Sequence, residues 1–304
     1  MIRVKYLWCR FEEAGLNTLS CLYSWSLKMI ALVAMTADHV ALFLFEAPLV
    51  SSLESYLHIF GRIAAPIFLF MVAEGARYTH SRGKYILRLY IGNIVCMLLQ
   101  QFCQVAFRSY IGLQNVGNIF PTMMYTVIII HCVEQSIRFW RERKHLRSFL
   151  EVAVLCAVCI IPTMLSSLFL NNHAVLTFGK ITPGSSLGIQ LVRAFIPSIL
   201  TVEYTPIFIV LGLLFYWLPN KTSKAVSLVA FALLARYSMG IDMGFLVTYF
   251  GIYQFYMILA LPFICLYNGK KGRGDKYFFY VYYIIHPYIL LAIGYLCGMR
   301  FMGG

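Results

Sequence analysis

The residues best suited to chemistry lie within an apolar stretch near the start of the chain. Asp38 and His39 are adjacent within residues 26–45, SLKMIALVAMTADHVALFLF. This stretch can cross a bilayer as one helix, because about 20 mostly apolar residues span the hydrocarbon core. An acid at that depth costs about 2.5–3.5 kcal/mol on insertion scales, and such residues mark functional sites. The pair predicts either half of an active site or a polar contact between helices.

Other ionisable residues also fall inside apolar stretches. Arg62 lies early in the second stretch, and the short connection makes the first two stretches neighbours. An Asp38–Arg62 ion pair is therefore expected, which either fixes helix register or supports catalysis. The remaining buried candidates are Glu74, His131, Arg193, Glu203, Arg236 and His286.

An acid beside a histidine is suited to general-base catalysis. One arrangement has His39 as the base, oriented by Asp38, with Arg62 stabilising a developing oxyanion. The other has His286 as the base, with Asp38 and Arg62 as its scaffold. His286 lies in the tyrosine-rich segment YFFYVYYIIHPY, where an imidazole can also be purely structural. Glu74 can form a pair with Arg77 one turn later on the same helix.

Composition indicates what kind of protein carries these residues. Of 304 residues, 61% are hydrophobic and 12% charged, and the mean hydropathy is +0.76. This composition predicts a polytopic membrane protein. The net charge of +13 comes from basic runs between apolar stretches, a pattern of membrane topology that gives no reason to expect nucleic acid. The nine cysteines are scattered, and the Cys156–Cys159 pair is expected to pack between helices and to bind no metal.

The expected fold is an all-α bundle of about nine membrane-spanning helices. The spans are expected near 26–46, 56–77, 85–107, 119–138, 148–170, 187–218, 224–239, 243–267 and 277–298. The sixth is too long for one straight helix, and its Pro197 and Pro206 predict a kink or a re-entrant start. Most of the 25 lysines and arginines fall in alternate connections, which places the N-terminus inside and the C-terminus outside.

One domain is expected. Residues 1–25 form a cytosolic N-terminal segment without a removable signal peptide, 26–298 the single transmembrane domain, and 299–304 a tail.

Several segments together resemble the TraX family, which is named for the F-pilin acetylation protein. They are LKMIALVAMTADHVALFLF, HIFGRIAAPIFLFMVAEGARYT, YILRLYIGN, GNIF, LGLLFYWL, LALPFICLYNGKKG and KYFFYVYYIIHPYIL, in this order. The resemblance implies a membrane enzyme that transfers an acetyl group from acetyl-CoA to the N-terminal amine of pilin. The family is also similar to the broader multi-span acyltransferases that carry acyl groups across a membrane.

Carried over by position, the resemblance and the buried residues together indicate a set of site residues. The expected catalytic residues are Asp38, His39, Arg62 and His286; the supporting or substrate-binding residues are Gly61, Pro66, Glu74, Arg193, Glu203 and Asn268. Acetyl-CoA is the expected acyl donor, with no metal. The bacterial cytoplasmic (inner) membrane is the expected location, with membrane lipid as a partner.

The acceptor stays open, because residues 1–25 and the 170–187 loop do not match the family pattern. A pilin-like protein and an envelope glycan or lipid are both consistent with the sequence. Two other classes of function compete with acyl transfer. A proton-coupled transporter would use the same intramembrane acids and histidines, although no inverted repeat is found. A non-catalytic membrane subunit would need only the Asp38–Arg62 pair.

Overall fold

The computed structural model describes residues 20–106, 117–169, 191, 194–202, 205–238, 253–274 and 276–297. Within these ranges the chain is helical, and the only extended pairing is one isolated bridge between Leu22 and Tyr267. In chain order the α-helices are α1 (Ser24–Phe43), α2 (Pro48–Gly61), α3 (Ala64–Tyr78), α4 (Arg82–Ala106), α5 (Phe120–Arg141), α6 (His145–Phe169), α7 (Thr205–Trp217), α8 (Lys221–Ser238), α9 (Leu261–Cys265) and α10 (Lys276–Leu296). Two 3₁₀ turns cover Ile199–Thr201 and Gln254–Ala260. The all-α class is confirmed.

Five helical segments of the described chain are long and apolar enough to cross a membrane. They are Ser24–Phe43, Pro48–Tyr78, Arg82–Cys103, His145–Ser166 and Tyr277–Leu296. Two shorter apolar helices, Pro206–Trp217 and Gln254–Cys265, accompany them. The chain is therefore a multi-pass membrane protein by the length and composition of its helices.

Three predicted spans differ in form from the helices observed. The second, predicted at 56–77, begins at Pro48, because proline is well suited to the first turn of a helix, where its missing N–H costs nothing. The sixth is interrupted: a 3₁₀ turn over Ile199–Thr201, flanked by Ser198 and Val202, precedes the start of α7. The eighth starts with the 3₁₀ turn Gln254–Ala260, and residues 243–252 lie outside the described part.

Helix α3 lies at the centre of the bundle, packed against α1, α5 and α7. Small and large side chains alternate on its buried surface, and small residues let neighbouring helices approach closely in a membrane. The buried apolar residues of α3 include Ala64, Ala65, Ile67, Leu69, Phe70, Ala73 and Ala76. Helix α6 is much less buried than α3, since only 6% of its apolar stretch lies inside the protein. Its exposed apolar surface is that of a helix facing lipid.

Buried charges join the helices where α3 ends and α4 begins, here called the α3–α4 end. Lys224 of α8 donates to Glu74 of α3 at 3.0 Å, and Lys224 is only 5% exposed. Arg77, the partner expected from the sequence, is farther from the Glu74 carboxylate at 4.0 Å. Helix spacing alone favoured Arg77, but the packing of α8 on α3 brings a closer cation.

We expect the Glu74–Lys224 pair to hold α8 in place. Lys224→Met leaves the Glu74 carboxylate buried without its closest cation, which costs about 3–5 kcal/mol for a fully buried pair. The variant should lose thermal stability in detergent, and the double variant Glu74→Leu/Lys224→Met should recover part of the loss. Lys84→Met, at an exposed lysine of the same end, is the matched control. Equal melting temperatures for Lys224→Met and wild type would contradict this role.

Candidate functional site

A cavity of about 190 Å³ lies where α1 faces the junction of α2 and α3. Its polar lining consists of Asp38 and His39 from α1 and His58 and Arg62 from the α2–α3 segment. The apolar lining includes Met35, Ala65 and Phe68, and Tyr283 of α10 closes one side. A small cavity that combines apolar walls with a few convergent ionisable groups is the usual form of a ligand site.

The Asp38 carboxylate is the common acceptor of two cationic or imidazole donors. Arg62 donates to Asp38 Oδ1 at 2.9 Å, so the predicted ion pair is confirmed. His58 Nδ1 lies 2.8 Å from the same oxygen. His58 is one turn before Arg62, and residues four apart share a helix face, so both reach one carboxylate. The carboxylate thereby gains the partners that a charge at this depth requires.

Asp38 therefore orients His58, and not His39 as the sequence suggested. Adjacent residues on a helix point about 100° apart, so Asp38 and His39 face different neighbours. His39 Nδ1 instead lies 2.9 Å from His286 Nε2 of α10. The two histidines predicted as alternative bases are thus hydrogen-bonded to each other.

The hydrogen bonds define which nitrogen of each ring carries a proton. His286 Nδ1 lies 2.9 Å from the Tyr282 carbonyl oxygen, which can only accept, so this nitrogen donates. With both rings neutral, His286 Nε2 accepts and His39 Nδ1 donates to it. The Nε2 atoms of both rings are then unprotonated, and the His286 Nε2 lone pair is used within the pair whereas that of His39 is not. His286 does not line the cavity, and its hydrogen bond with His39 connects it to a residue that does.

The surroundings of His58 keep its second nitrogen available. The imidazole stacks on Tyr253, with ring centroids 5.5 Å apart and an interplanar angle of 16°. Its Nε2 atom lies 3.9 Å from a Glu54 carboxylate oxygen, beyond hydrogen-bond distance. A histidine that donates from Nδ1 to a carboxylate holds a lone pair on Nε2, which is the arrangement of a general base.

Gly61 allows the α2–α3 segment to approach α1. A Cβ atom at this position would contact the Asp38 Cβ atom and would lie 2.8 Å from Asp38 Oδ1. Any side chain there displaces either the carboxylate or the helix. Gly61 was expected as a supporting residue from the family motif, and the structure gives it a steric reason.

The other predicted residues do not line the cavity, or they fall outside the described chain. Pro66 is buried in the first turn of α3, and Glu74 is at the α3–α4 end. Asn268 follows α9 and accepts a hydrogen bond from the Lys270 backbone N–H. Arg193 and Glu203 fall outside the described residues.

The two remaining residues that were expected to be buried, Arg236 and His131, differ in their exposure. Arg236, expected to be buried, is exposed in the last turn of α8, where a basic side chain complements the helix dipole. His131 is partly buried on α5, and its Nδ1 atom has no hydrogen-bond partner among the described residues.

The site also contains residues that sequence reasoning missed. His58 and Tyr253 contribute to the site, yet neither was singled out from the sequence. The four-residue spacing between His58 and Arg62 was a usable signal, because it places both on one helix face. Tyr253 had no such signal, since its contact with His58 joins segments far apart in the chain.

The helices define a multi-pass membrane protein, and a cavity lined by ionisable side chains lies among them. A family model described as TraX protein matches residues 24–182, just over half of the chain. The chain belongs to this family. The matched range includes Asp38, His39, His58 and Arg62, whereas His286 lies beyond it. Comparison with curated proteins and with solved structures gave no match.

We expect Gly61→Ala to disrupt the site without removing any polar group. The added methyl occupies the space of the Asp38 side chain, so the carboxylate moves away from His58 and Arg62. The variant should show a reduced folded yield and a lower melting temperature in detergent. Gly83→Ala is the control, because a Cβ atom there meets nothing within 4 Å. A normal yield and melting temperature of Gly61→Ala would show that the close approach of Gly61 to Asp38 is not needed.

Proposed function

We propose that the protein is an integral membrane acyltransferase that moves an acetyl group from acetyl-CoA to an amine or hydroxyl of a membrane-associated acceptor. The supporting observation is the hydrogen bond between Asp38 and His58 at a cavity that also holds Arg62. Membership of the TraX family agrees with this reaction class through the pilin acetylation for which the family is named.

In the proposed reaction His58 is the general base. Its Nε2 takes the proton as the acceptor nitrogen or oxygen attacks the thioester carbonyl, and Asp38 stabilises the imidazolium that forms. The carbon–sulfur bond then breaks, and the leaving thiolate of CoA takes the proton back. Arg62 supplies positive charge at the cavity wall, where the carbonyl oxygen becomes negative.

His39 is the second histidine of the cavity, and His286 is a positioning residue. A neutral imidazole orients His39 more weakly than a carboxylate orients His58, because it adds no charge to stabilise an imidazolium. We therefore assign His58 to the acceptor proton. The hydrogen bond that His39 Nδ1 donates to His286 Nε2 maintains the orientation of the His39 ring and keeps its Nε2 lone pair at the cavity.

The position of the site along α1 favours transfer toward the outer side of the membrane. We propose nine spans with the N-terminus in the cytosol, in the bacterial cytoplasmic membrane. Asp38 is then about 21 Å from the cytosolic start of α1 and about 8 Å from its outer end, at 1.5 Å per residue. The donor enters from the cytosol, and the acceptor, a pilin-like protein or an envelope glycan or lipid, approaches from outside.

We expect His58→Ala to slow acetyl transfer by about 10²–10⁴-fold, the usual loss for a general base. His39→Ala should also reduce transfer strongly, because it removes the second imidazole of the cavity. His286→Ala should cause a smaller loss, because it acts through His39. Acetyl-CoA binding should persist in all three variants. The measurement is single-turnover transfer from radiolabelled acetyl-CoA to an amine acceptor by purified protein in detergent, together with direct binding of acetyl-CoA.

His145→Ala is the matched control, since this exposed histidine begins α6 away from the cavity. Normal transfer by all three cavity-related variants would overturn the site assignment. If the wild-type protein binds no acetyl-CoA, the enzyme reading is wrong and a proton-coupled transporter becomes the better proposal, since it would use the same intramembrane groups.

The proposed topology predicts opposite sides for the two ends. Reporter fusions at Met1 and Gly304 should report the cytosol and the outer side respectively, because the basic connections lie on the side of the N-terminus. A reporter placed between α3 and α4, next to Arg82, should match Met1. Finding both ends on one side would remove one crossing from the proposed nine.

A further inference from the structure

Four cations gather where α1 and α10 begin. Lys28 is in the second turn of α1, and Lys270, Lys271 and Arg273 lie in the connection between α9 and α10. We call these four residues the cationic cluster. No member forms an ion pair with a carboxylate in the described part of the chain, whereas several other cations of the protein do. The paired cations are Arg62, Arg77, Arg82, Arg138, Lys144 and Lys224.

The connection that carries the cluster has a defined shape. Backbone hydrogen bonds tie it to the chain entering α1: Asn268 N–H donates to the Leu22 carbonyl at 2.9 Å, Ser24 N–H to Lys270 at 2.9 Å, and Trp25 N–H to Lys271 at 3.2 Å. These backbone hydrogen bonds fix the position of the loop against the start of α1.

Two glycines give the loop a conformation that other residues rarely adopt. Gly269 and Gly272 have φ angles of +76° and +70°, in the left-handed region that favours glycine. A Cβ atom on Gly272 would also lie 2.9 Å from Tyr23 Cβ. The Asn268 side chain completes the turn by accepting from the Lys270 N–H at 2.9 Å. Asn268, expected as a substrate-binding residue, thus shapes the loop.

Aromatic faces hold two of the cations without neutralising them. The Lys28 ammonium lies 5.4 Å from the centre of the Phe279 ring, and the Arg273 guanidinium 5.6 Å from that of Trp25. Lys271 is held beside the first turn of α1 by the Trp25 hydrogen bond, and Lys28 follows Trp25 by about one turn, so the two positive charges repel each other. Two like charges held together without a carboxylate are costly, and an anion between them offsets that cost.

We propose that Lys28, Lys271 and the backbone of residues 269–273 form a binding site for a phosphate-bearing ligand. Lysine ammonium groups bind phosphate as point charges, and backbone N–H groups in glycine-rich turns add hydrogen bonds. The N–H groups of Lys271, Gly272 and Arg273 donate to no acceptor among the described residues, so they are available for this role.

The distance from this site to the cavity matches the donor of the proposed reaction. Met35 and His39 share one face of α1 with Lys28, because each lies within about 20° of Lys28 around the helix axis. Lys28 and Asp38 are about 15 Å apart along the axis at 1.5 Å per residue. The pantetheine arm of CoA, with about 13 bonds from diphosphate to sulfur, extends over about 15 Å.

Assignment of the ligand to acyl-CoA rests on the proposed function, whereas the phosphate site does not. An anionic phospholipid headgroup presents the same phosphate chemistry at this end of the bundle. The two sources are separable, because only CoA carries the pantetheine arm toward the cavity.

The test measures binding to the purified full-length protein. Lys28→Gln and Lys271→Gln should each weaken CoA binding by about tenfold or more in titration calorimetry, the effect of losing one charged contact. Pantetheine, which has no phosphate, should bind equally to the variants and to wild type. Lys84→Gln removes one exposed positive charge near the start of α4 and should leave CoA binding unchanged. Lys28→Arg keeps the charge and should retain most affinity.

A second arm uses nanodiscs of phosphatidylcholine with and without phosphatidylglycerol, and native mass spectrometry counts the retained lipid. If the variants keep CoA affinity but lose phosphatidylglycerol, the phosphate site stands with a lipid as its ligand. If wild type binds no CoA while the variants lose phosphatidylglycerol, the proposed function fails and the site stands. Unchanged binding of both CoA and phosphatidylglycerol in Lys28→Gln and Lys271→Gln overturns the proposal. Lys271 is exposed, so its variant carries the test if Lys28→Gln does not fold.

Discussion

The Asp38 carboxylate is the constraint on which the arrangement of the site depends. A charge at this depth of a membrane helix is costly unless opposite charge and hydrogen-bond donors surround it. Arg62 and His58 supply both, at 2.9 and 2.8 Å from one carboxylate oxygen. The requirement of one carboxylate thereby positions an imidazole at the cavity, which links the stability of the fold to its proposed chemistry.

The same requirement explains the local form of the α2–α3 segment. This segment of 31 residues, Pro48–Tyr78, is interrupted at Arg62 and Ile63 between its two helices. The interruption lies beside the cavity, and Gly61 permits the backbone to approach Asp38 closely. A continuous helix with a larger residue at position 61 would hold the segment away from α1. The break and the glycine are therefore parts of one solution to burying a charge.

Charge is treated differently at the other end of the bundle. Glu74 and Lys224 are buried against each other, and Arg82, Glu134 and Tyr216 form a second network that joins α4, α5 and α7. These groups satisfy one another and join helices. The cationic cluster at the start of α1 lacks carboxylate partners in the described chain. This contrast separates charges that join helices from charges that we propose to bind a ligand.

The sequence by itself determined the fold class and the pairing of near neighbours. Apolar length predicted the all-α membrane class, and the short connection between the first two spans predicted the Asp38–Arg62 contact, because local connectivity limits where such helices lie. The partners of the histidines were decided only by the tertiary structure. His39 and His286 are 247 positions apart, and no periodicity within one helix reveals which faces meet across that separation. For the same reason spacing favoured Arg77 over Lys224 as the partner of Glu74, since the position of α8 depends on how whole helices pack.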